Sequence, residues 1–112
     1  MSTVSPEEFE AIELRAGTIK RVEPFPEARK PSYKLWVDLG DDLGVKQSSA
    51  QITDNYDPDE LVGTQVVCVT NFPALEVGPF TSEILVTGFY REDGAVVLTR
   101  PDEEVANGAR LA

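Results

Sequence analysis

Short apolar runs separated by proline and glycine turns limit this chain to a fold built from short strands. In residues 33–39 apolar side chains recur at every second position, which places them together on one face of a strand. Further runs with strand character lie at residues 12–22, 45–52, 64–70, 82–89 and 95–99. Turn sequences rich in glycine and aspartate follow at residues 40–44 and 91–94. We therefore predict an all-β domain.

Two cap signatures predict short helices. Ser5 is a suitable N-cap, Pro6 fits the first helical position, and Glu8 can complete a capping box. Residues 57–63 repeat this order, with Asp57 as the N-cap, a proline after it and a glycine at the end. We expect one short helix at the N-terminus and another between strands 3 and 4.

Together these elements predict an OB-fold. Five or more strands with a short helix between the third and the fourth are typical of an OB-fold five-stranded barrel, and an SH3-like small barrel is the alternative. Gly17 interrupts the alternation of the first strand, where we expect a bulge that coils it. The 112 residues leave room for one core, so residues 1–112 are treated as a single domain.

The chain is strongly acidic, and its charge is spread unevenly. Of the net charge of −10, residues 1–14 contribute −4, residues 15–46 contribute +2 and residues 47–112 contribute −8. Such a field repels nucleic acid at long range in dilute salt. Because the chain has four lysines against 20 acids, we expect its source to be a halophile, in which molar salt shortens the Debye length to roughly 3 Å. A protein that gains no stability from potassium chloride would instead be acidic and mesophilic.

The most basic part of the sequence surrounds the second strand. Residues 27–53 contain four of the ten basic residues. The candidates for phosphate contacts are Arg29, Lys30, Lys34 and Lys46. A basic and aromatic surface in an acidic chain suits the backbone and bases of a nucleic acid, and a solvated strand-loop-strand surface is the alternative.

Two aromatic residues of this region are candidates for stacking on bases, but alternation places Tyr33 and Trp36 on opposite faces of one strand. Tyr33 shares its face with apolar residues, which favours the core. Its place at the start of the strand, beside a proline turn, favours an exposed rim. Trp36 shares the polar face, where a core or a dimer-interface role is open to it.

Polar residues near other strand ends complete the candidate groove. Their hydroxyls and amides suit base edges or a ribose 2′-hydroxyl, although ordinary ladder residues on an exposed face have the same composition. The members are Ser48, Ser49, Gln51, Asn71 and Ser82. Glu83 is adjacent, and it either accepts from a base amine or pairs with Lys34. We expect the candidates to converge in one cationic groove.

The sequence offers little for catalysis or for a cofactor. It has no histidine, and its acids cluster in loops, as those of solvated faces usually do. The single cysteine, Cys68, stands in an apolar run and is expected to be buried. We expect a binding protein without catalytic residues, metal or cofactor. An N-terminus unlike a secretory signal and the lack of a long apolar run predict a cytoplasmic location and no membrane insertion.

Four motifs stand in order along the chain. They are Arg29-Lys30-Pro31-x-Tyr33-Lys34-Leu35-Trp36, Lys46-Gln47-Ser48-Ser49-Ala50-Gln51-Ile52-Thr53, Val69-x-Asn71-Phe72-Pro73 and Ser82-Glu83-Ile84-Leu85. In sequence and separation they resemble the CsaA-like group of the tRNA-binding domain family. The similarity extends from about Phe9 to Arg110.

This resemblance implies a cytoplasmic homodimer, with one OB barrel per chain, that binds tRNA or other structured RNA through the candidate residues above. It also implies an alternative, a secretion-related chaperone that binds unfolded polypeptides or preproteins in the same groove. For that role Phe72 and Leu75 are the candidate contacts. A dimeric subunit that docks onto a synthetase is a third option. Apolar residues at both ends of the barrel, Phe9, Phe80 and Leu111, also favour dimerisation, because pairing would bury them.

Overall fold

The computed structural model describes residues 2–112, and two of the three helices in this range begin at the predicted caps. The elements in chain order are α1 (Pro6–Glu10), β1 (Leu14–Pro24), β2 (Tyr33–Asp38), α2 (Gly40–Leu43), β3 (Val45–Ala50), α3 (Pro58–Leu61), β4 (Gln65–Val69), β5 (Leu75–Val77), β6 (Phe80–Ser82), β7 (Leu85–Val86), β8 (Gly88–Tyr90) and β9 (Val96–Leu98). The Ser5 hydroxyl accepts from the Glu8 N–H at 3.1 Å, which closes the capping box of α1. The helices expected at the N-terminus and between β3 and β4 are confirmed.

Within the described residues, five antiparallel strands form a nearly closed barrel in the order β3–β2–β1–β4–β7. Two hairpins, β5–β6 and β8–β9, accompany it. The gap between β3 and the chain after β6 is bridged where the Glu83 N–H donates to the Gln47 carbonyl at 2.8 Å. The chain is thus mostly β with short helices, and the OB-like barrel predicted from its strand pattern is confirmed.

The core forms on the apolar face of β2. Leu35, Val37 and the following Leu39 are fully buried, as their alternation predicted. Ile19 of β1 and Cys68 of β4 belong to the same cluster. Burial raises the pKa of the Cys68 thiol to about 12, so the group stays protonated and unreactive at neutral pH, as expected for a structural cysteine.

Gly17 has a role different from the one predicted. The register of β1 against β2 shifts between Ile19 and Arg21, so the irregularity lies after the glycine and not at it. A Cβ atom at Gly17 would lie 2.5 Å from Val37 Cγ1 and 2.9 Å from the Asp38 carbonyl oxygen. The glycine therefore permits β2 to approach β1 closely.

Three segments differ from the predicted elements. Residues 40–43, expected to be part of a tight turn, form a single helical turn in which the Gly44 N–H donates to the Gly40 carbonyl at 2.7 Å. The run 82–89 was expected to be one strand, but β7 pairs with β4 whereas β8 pairs with β9. The β5–β6 hairpin has no counterpart among the predicted strands.

Candidate nucleic-acid interface

A cleft of about 950 Å³ opens between the end of β3 and the chain that follows β6. Residues 49–54 line one side and residues 82–88 line the other. The remaining lining residues come from the loop before β2, the segment after β4 and the β8–β9 hairpin; they are Lys30, Pro31, Phe72, Pro73, Ala74, Leu75, Tyr90, Gly94 and Val96. Barrel closure therefore brings distant parts of the chain to one concave surface.

Four of the predicted site residues line this cleft: Lys30, Ser49, Gln51 and Ser82. Lys30 and Gln51 are exposed, and Ser49 is half-buried. An ammonium group, an amide and a hydroxyl thus share one space, which is the set of groups that contacts phosphates, base edges and ribose hydroxyls.

Side-chain atoms join the two sides of the cleft at a seam formed by Gln47 and Ser49 of β3 with Ser82 and Glu83. The Ser82 hydroxyl accepts from the Ser49 N–H at 3.1 Å, and the Glu83 carboxylate accepts from the Gln47 N–H at 3.1 Å. Ser82 also donates to the Ile84 carbonyl at 3.3 Å. The polar atoms of Ser82 are therefore engaged within the protein, and the residue positions Ser49 at the cleft.

Lys46 lies beside the cleft. It lines a separate cavity of about 220 Å³ together with Leu43 and Thr70. The residues that border both spaces are Phe72, Ala74, Glu83 and Ile84. Lys46 therefore belongs to the same end of the barrel as the four lining candidates.

Ser48 and Asn71 have structural contacts and do not line the cleft. Ser48 is directly opposite Leu35 in the β2–β3 register, so it shares the interior face, and its buried hydroxyl donates to the Ser49 carbonyl at 3.0 Å. The Asn71 side chain accepts from the Glu13 N–H at 2.9 Å and donates to the Ala11 carbonyl at 2.8 Å. Asn71 thus links the end of β4 to the segment between α1 and β1.

Tyr33 packs against the core, and its hydroxyl donates to the Tyr56 carbonyl at 2.8 Å. Burial raises the pKa of the Tyr33 phenol, and the carboxylates of Asp57 and Glu60 raise it further. The phenol therefore remains a hydrogen-bond donor at neutral pH. Of the two roles open to Tyr33, the structure favours the core.

Lys34 and Trp36 lie on the outer face of β2, where an aromatic cluster forms from Phe25, Trp36 and Phe80. The Lys34 ammonium lies 5.0 Å from the Phe25 ring and 5.4 Å from the Phe80 ring. Among the described residues Lys34 forms no ion pair with Glu83. Arg29 is exposed in the loop between β1 and β2.

The charge of the cleft differs from the cationic groove expected from the sequence. Among the described residues that line the cleft, Lys30 is the basic one, against the carboxylates of Asp54 and Glu83. Basic residues are concentrated instead in residues 20–34, which contain five bases and two acids. The basic side chains therefore lie mainly in the loop before β2 and on the outer face of β2, whereas polar and apolar groups prevail inside the cleft.

Tyr90, which was not among the candidates predicted from the sequence, lines the cleft and is 84% exposed. A signal was present, since an aromatic residue directly before the turn 91–94 stands at the end of a hairpin strand. Phe80, in contrast, was expected at a dimer interface, but it is buried against Phe25. Phe9 and Leu111 remain exposed, as the dimer prediction requires.

Neither a metal-binding cluster nor a membrane-spanning helix occurs among the described residues. In residues 2–112 no group of three or more histidine, cysteine, aspartate or glutamate side chains is arranged to hold a metal ion. Within the same range, no helix has both the length and the apolar character needed to cross a bilayer.

Comparisons with known proteins give a consistent result. A family model described as "Putative tRNA binding domain" matches residues 14–110. The crystal structure of the chaperone CsaA from Bacillus anthracis is 46% identical with a TM-score of 0.93, and the match covers 99% of this chain and 100% of that chain. The CsaA chaperone protein from Picrophilus torridus is 42% identical with a TM-score of 0.92, over 98% of this chain and 100% of that chain.

The curated relatives include methionine–tRNA ligases. That of Thermococcus kodakarensis is 37% identical over 112 residues, which are 99% of this chain and 14% of the ligase. The chain thus spans about one seventh of the length of the curated relatives it matches.

Proposed function

The chain belongs to the tRNA-binding domain family and is CsaA-like, and we propose that it binds structured RNA, with tRNA as the first candidate. The proposed site is the cleft together with the basic loop at residues 25–32. The observation that carries this proposal is the convergence of Lys30, Ser49 and Gln51 on one concave surface next to the most basic part of the chain.

In this proposal the contacts divide by chemistry. Arg29 and Lys30 attract phosphates and orient the RNA, while Ser49 and Gln51 hydrogen-bond base edges or ribose 2′-hydroxyls. The exposed rings of Phe72 and Tyr90 offer planar surfaces beside them. Because the phosphate contacts come only from Arg29 and Lys30 at the edge of the cleft, recognition rests on the shape of the RNA and on the polar groups of the cleft. No catalytic step is part of this proposal.

Fluorescence anisotropy with labelled tRNA tests this assignment through Lys30→Ala. We expect Lys30→Ala to weaken tRNA binding and to reduce the slope of log K against log salt by about one, because one phosphate contact is lost. Lys20→Ala is the matched control, since Lys20 is exposed on β1 and does not line the cleft. Equal affinities and equal salt slopes for the two variants would contradict the site.

Binding of unfolded polypeptide is the second candidate function, and a specific observation favours it. Phe72, Leu75 and Leu85 line the cleft with exposed apolar side chains, and polypeptide in extended form buries its own apolar groups on such a surface. Phe72→Ser should then impair suppression of client aggregation while Lys30→Ala preserves it. If Lys30→Ala abolishes suppression and Phe72→Ser does not, the polypeptide function is wrong.

A further inference from the structure

The β5–β6 hairpin reaches over the outer face of β2 and places Phe80 on it. The Phe80 ring lies 5.5 Å from the Phe25 ring and 6.0 Å from the Trp36 ring, edge-on in both cases, by ring centroids. Phe80 is 7% exposed, so the surrounding residues nearly enclose it. The hairpin thus inserts one aromatic side chain into a pocket made by other parts of the chain.

The covered surface is the part of an OB barrel that commonly binds oligonucleotides, namely the face of strands 2 and 3 and the loops between strands 1 and 2 and strands 4 and 5. Here those parts are β2, β3, residues 25–32 and the chain between β4 and β7. Phe80 belongs to the last of these segments. The residue therefore covers a face on which single strands stack in other OB barrels.

The chemistry of this face is that of a stacking site for single strands. The Arg21 guanidinium carbon lies 4.5 Å from the Trp36 ring centroid, and the Lys34 ammonium stands over both Phe25 and Phe80. Cations next to aromatic rings are what single-strand sites use to hold phosphates and bases. On this face, however, the Phe80 ring of the same chain already occupies the place beside Phe25 and Trp36 where a base would stack.

Gln47 connects the hairpin to the covered tryptophan. Its side-chain carbonyl accepts from Trp36 Nε1 at 3.2 Å, and its amide nitrogen donates to the Thr81 carbonyl at 2.8 Å. One side chain therefore fixes both the indole and the strand that carries Phe80. The β5–β6 hairpin is therefore held on β2 by hydrogen bonds as well as by apolar contacts.

We propose that Phe80 is an internal occupant of a base-stacking site, and that the β5–β6 hairpin excludes single-stranded RNA from the outer face of β2. In the proposed function this exclusion determines specificity, because folded RNA still reaches the cleft whereas an unpaired strand finds its platform covered. The effect on specificity rests on the proposed RNA binding, whereas the occupation of the stacking site by Phe80 does not.

Trp36 is the single tryptophan of the chain, so its fluorescence reports directly on this face. The probe is an oligouridylate of about twelve nucleotides, within the site sizes of OB folds. In the wild-type protein we expect no saturable quenching of Trp36. In Phe80→Ala we expect saturable quenching and at least a tenfold gain in affinity, about what one base–aromatic stack contributes. Phe89→Ala removes an exposed phenylalanine on the other hairpin and should behave as wild type.

A second variant covers the case in which Phe80→Ala does not fold. Gln47→Leu removes the hydrogen bond to the Thr81 carbonyl but retains Phe80, and it should show weaker quenching in the same direction. Saturable quenching of Trp36 in the wild type, or a folded variant that leaves oligouridylate unbound, overturns the proposal. Anisotropy with tRNA is measured in parallel, so a failure of tRNA binding remains distinct from a failure of this inference.

Discussion

A single residue can decide how closely two strands of this barrel approach one another, and Gly17, which lacks a side chain, is the clearest case. Its position shows why residue roles are only partly predictable from sequence. The break in alternation marked Gly17 as special, but the reason, contact with Val37 and the Asp38 carbonyl, lies on a different strand. Ser48 is similar, since its hydroxyl suggested a ligand contact until its register opposite Leu35 placed it inside.

We predict that Gly17→Ala lowers the free energy of unfolding by about 1–3 kcal/mol, because the added methyl group overpacks the contact between β1 and β2. Urea denaturation measures the change. Gly94→Ala is the control: its φ of +89° disfavours alanine, but no atom lies within 4 Å of the added carbon. It should cost about 1 kcal/mol through backbone strain alone. A smaller loss in Gly17→Ala than in Gly94→Ala contradicts the packing argument.

At the scale of elements, local patterns predicted what local physics determines. The capping box of α1 and the buried face of β2 follow from residues a few positions apart, and both are present. The division of residues 82–89 depends on which strand each part pairs with, and the β5–β6 hairpin depends on a pocket formed by Phe25 of the β1–β2 loop and Trp36 of β2. Such pairings join positions far apart, and a period of two along the chain does not encode them.

Asn71 shows how an element is fixed by one residue outside it. We predict that Asn71→Ala destabilises the attachment of α1 by about 1 kcal/mol, since the Glu13 N–H and the Ala11 carbonyl both lose a partner. Hydrogen exchange should become faster in residues 6–13 and stay unchanged in β2. Asn71→Asp retains the acceptor for Glu13 and should show an intermediate effect. Uniform exchange across the chain in Asn71→Ala would count against this tether.

For the whole molecule, the charge pattern and the apolar surface have separate consequences. The basic region is visible in the sequence, but the sequence does not reveal that most of its bases lie beside the cleft and not within it. That distinction depends on the curvature of the closed sheet. The exposed apolar residues of the chain ends, Phe9 and Leu111, still favour pairing of two chains.

We predict a homodimer, with a mass in light scattering of twice the 12.3 kDa chain. Phe9→Asp should shift the protein toward monomer, because pairing would bury a charge without a partner. Val45→Asp introduces the same charge at another exposed apolar position and should leave the mass unchanged. A wild-type protein that is monomeric at micromolar concentration would refute the pairing.

The seam also has an evolutionary consequence. Where two strands are joined by a backbone ladder, they lie about 4.7–4.9 Å apart whatever their side chains. Here Ser82 and Glu83 supply two of the acceptors that join β3 to its neighbour. A substitution at either position removes one of these acceptors, whereas the backbone bond between the Glu83 N–H and the Gln47 carbonyl does not depend on a side chain. We therefore expect the cleft to accommodate side-chain changes at the seam without loss of the barrel.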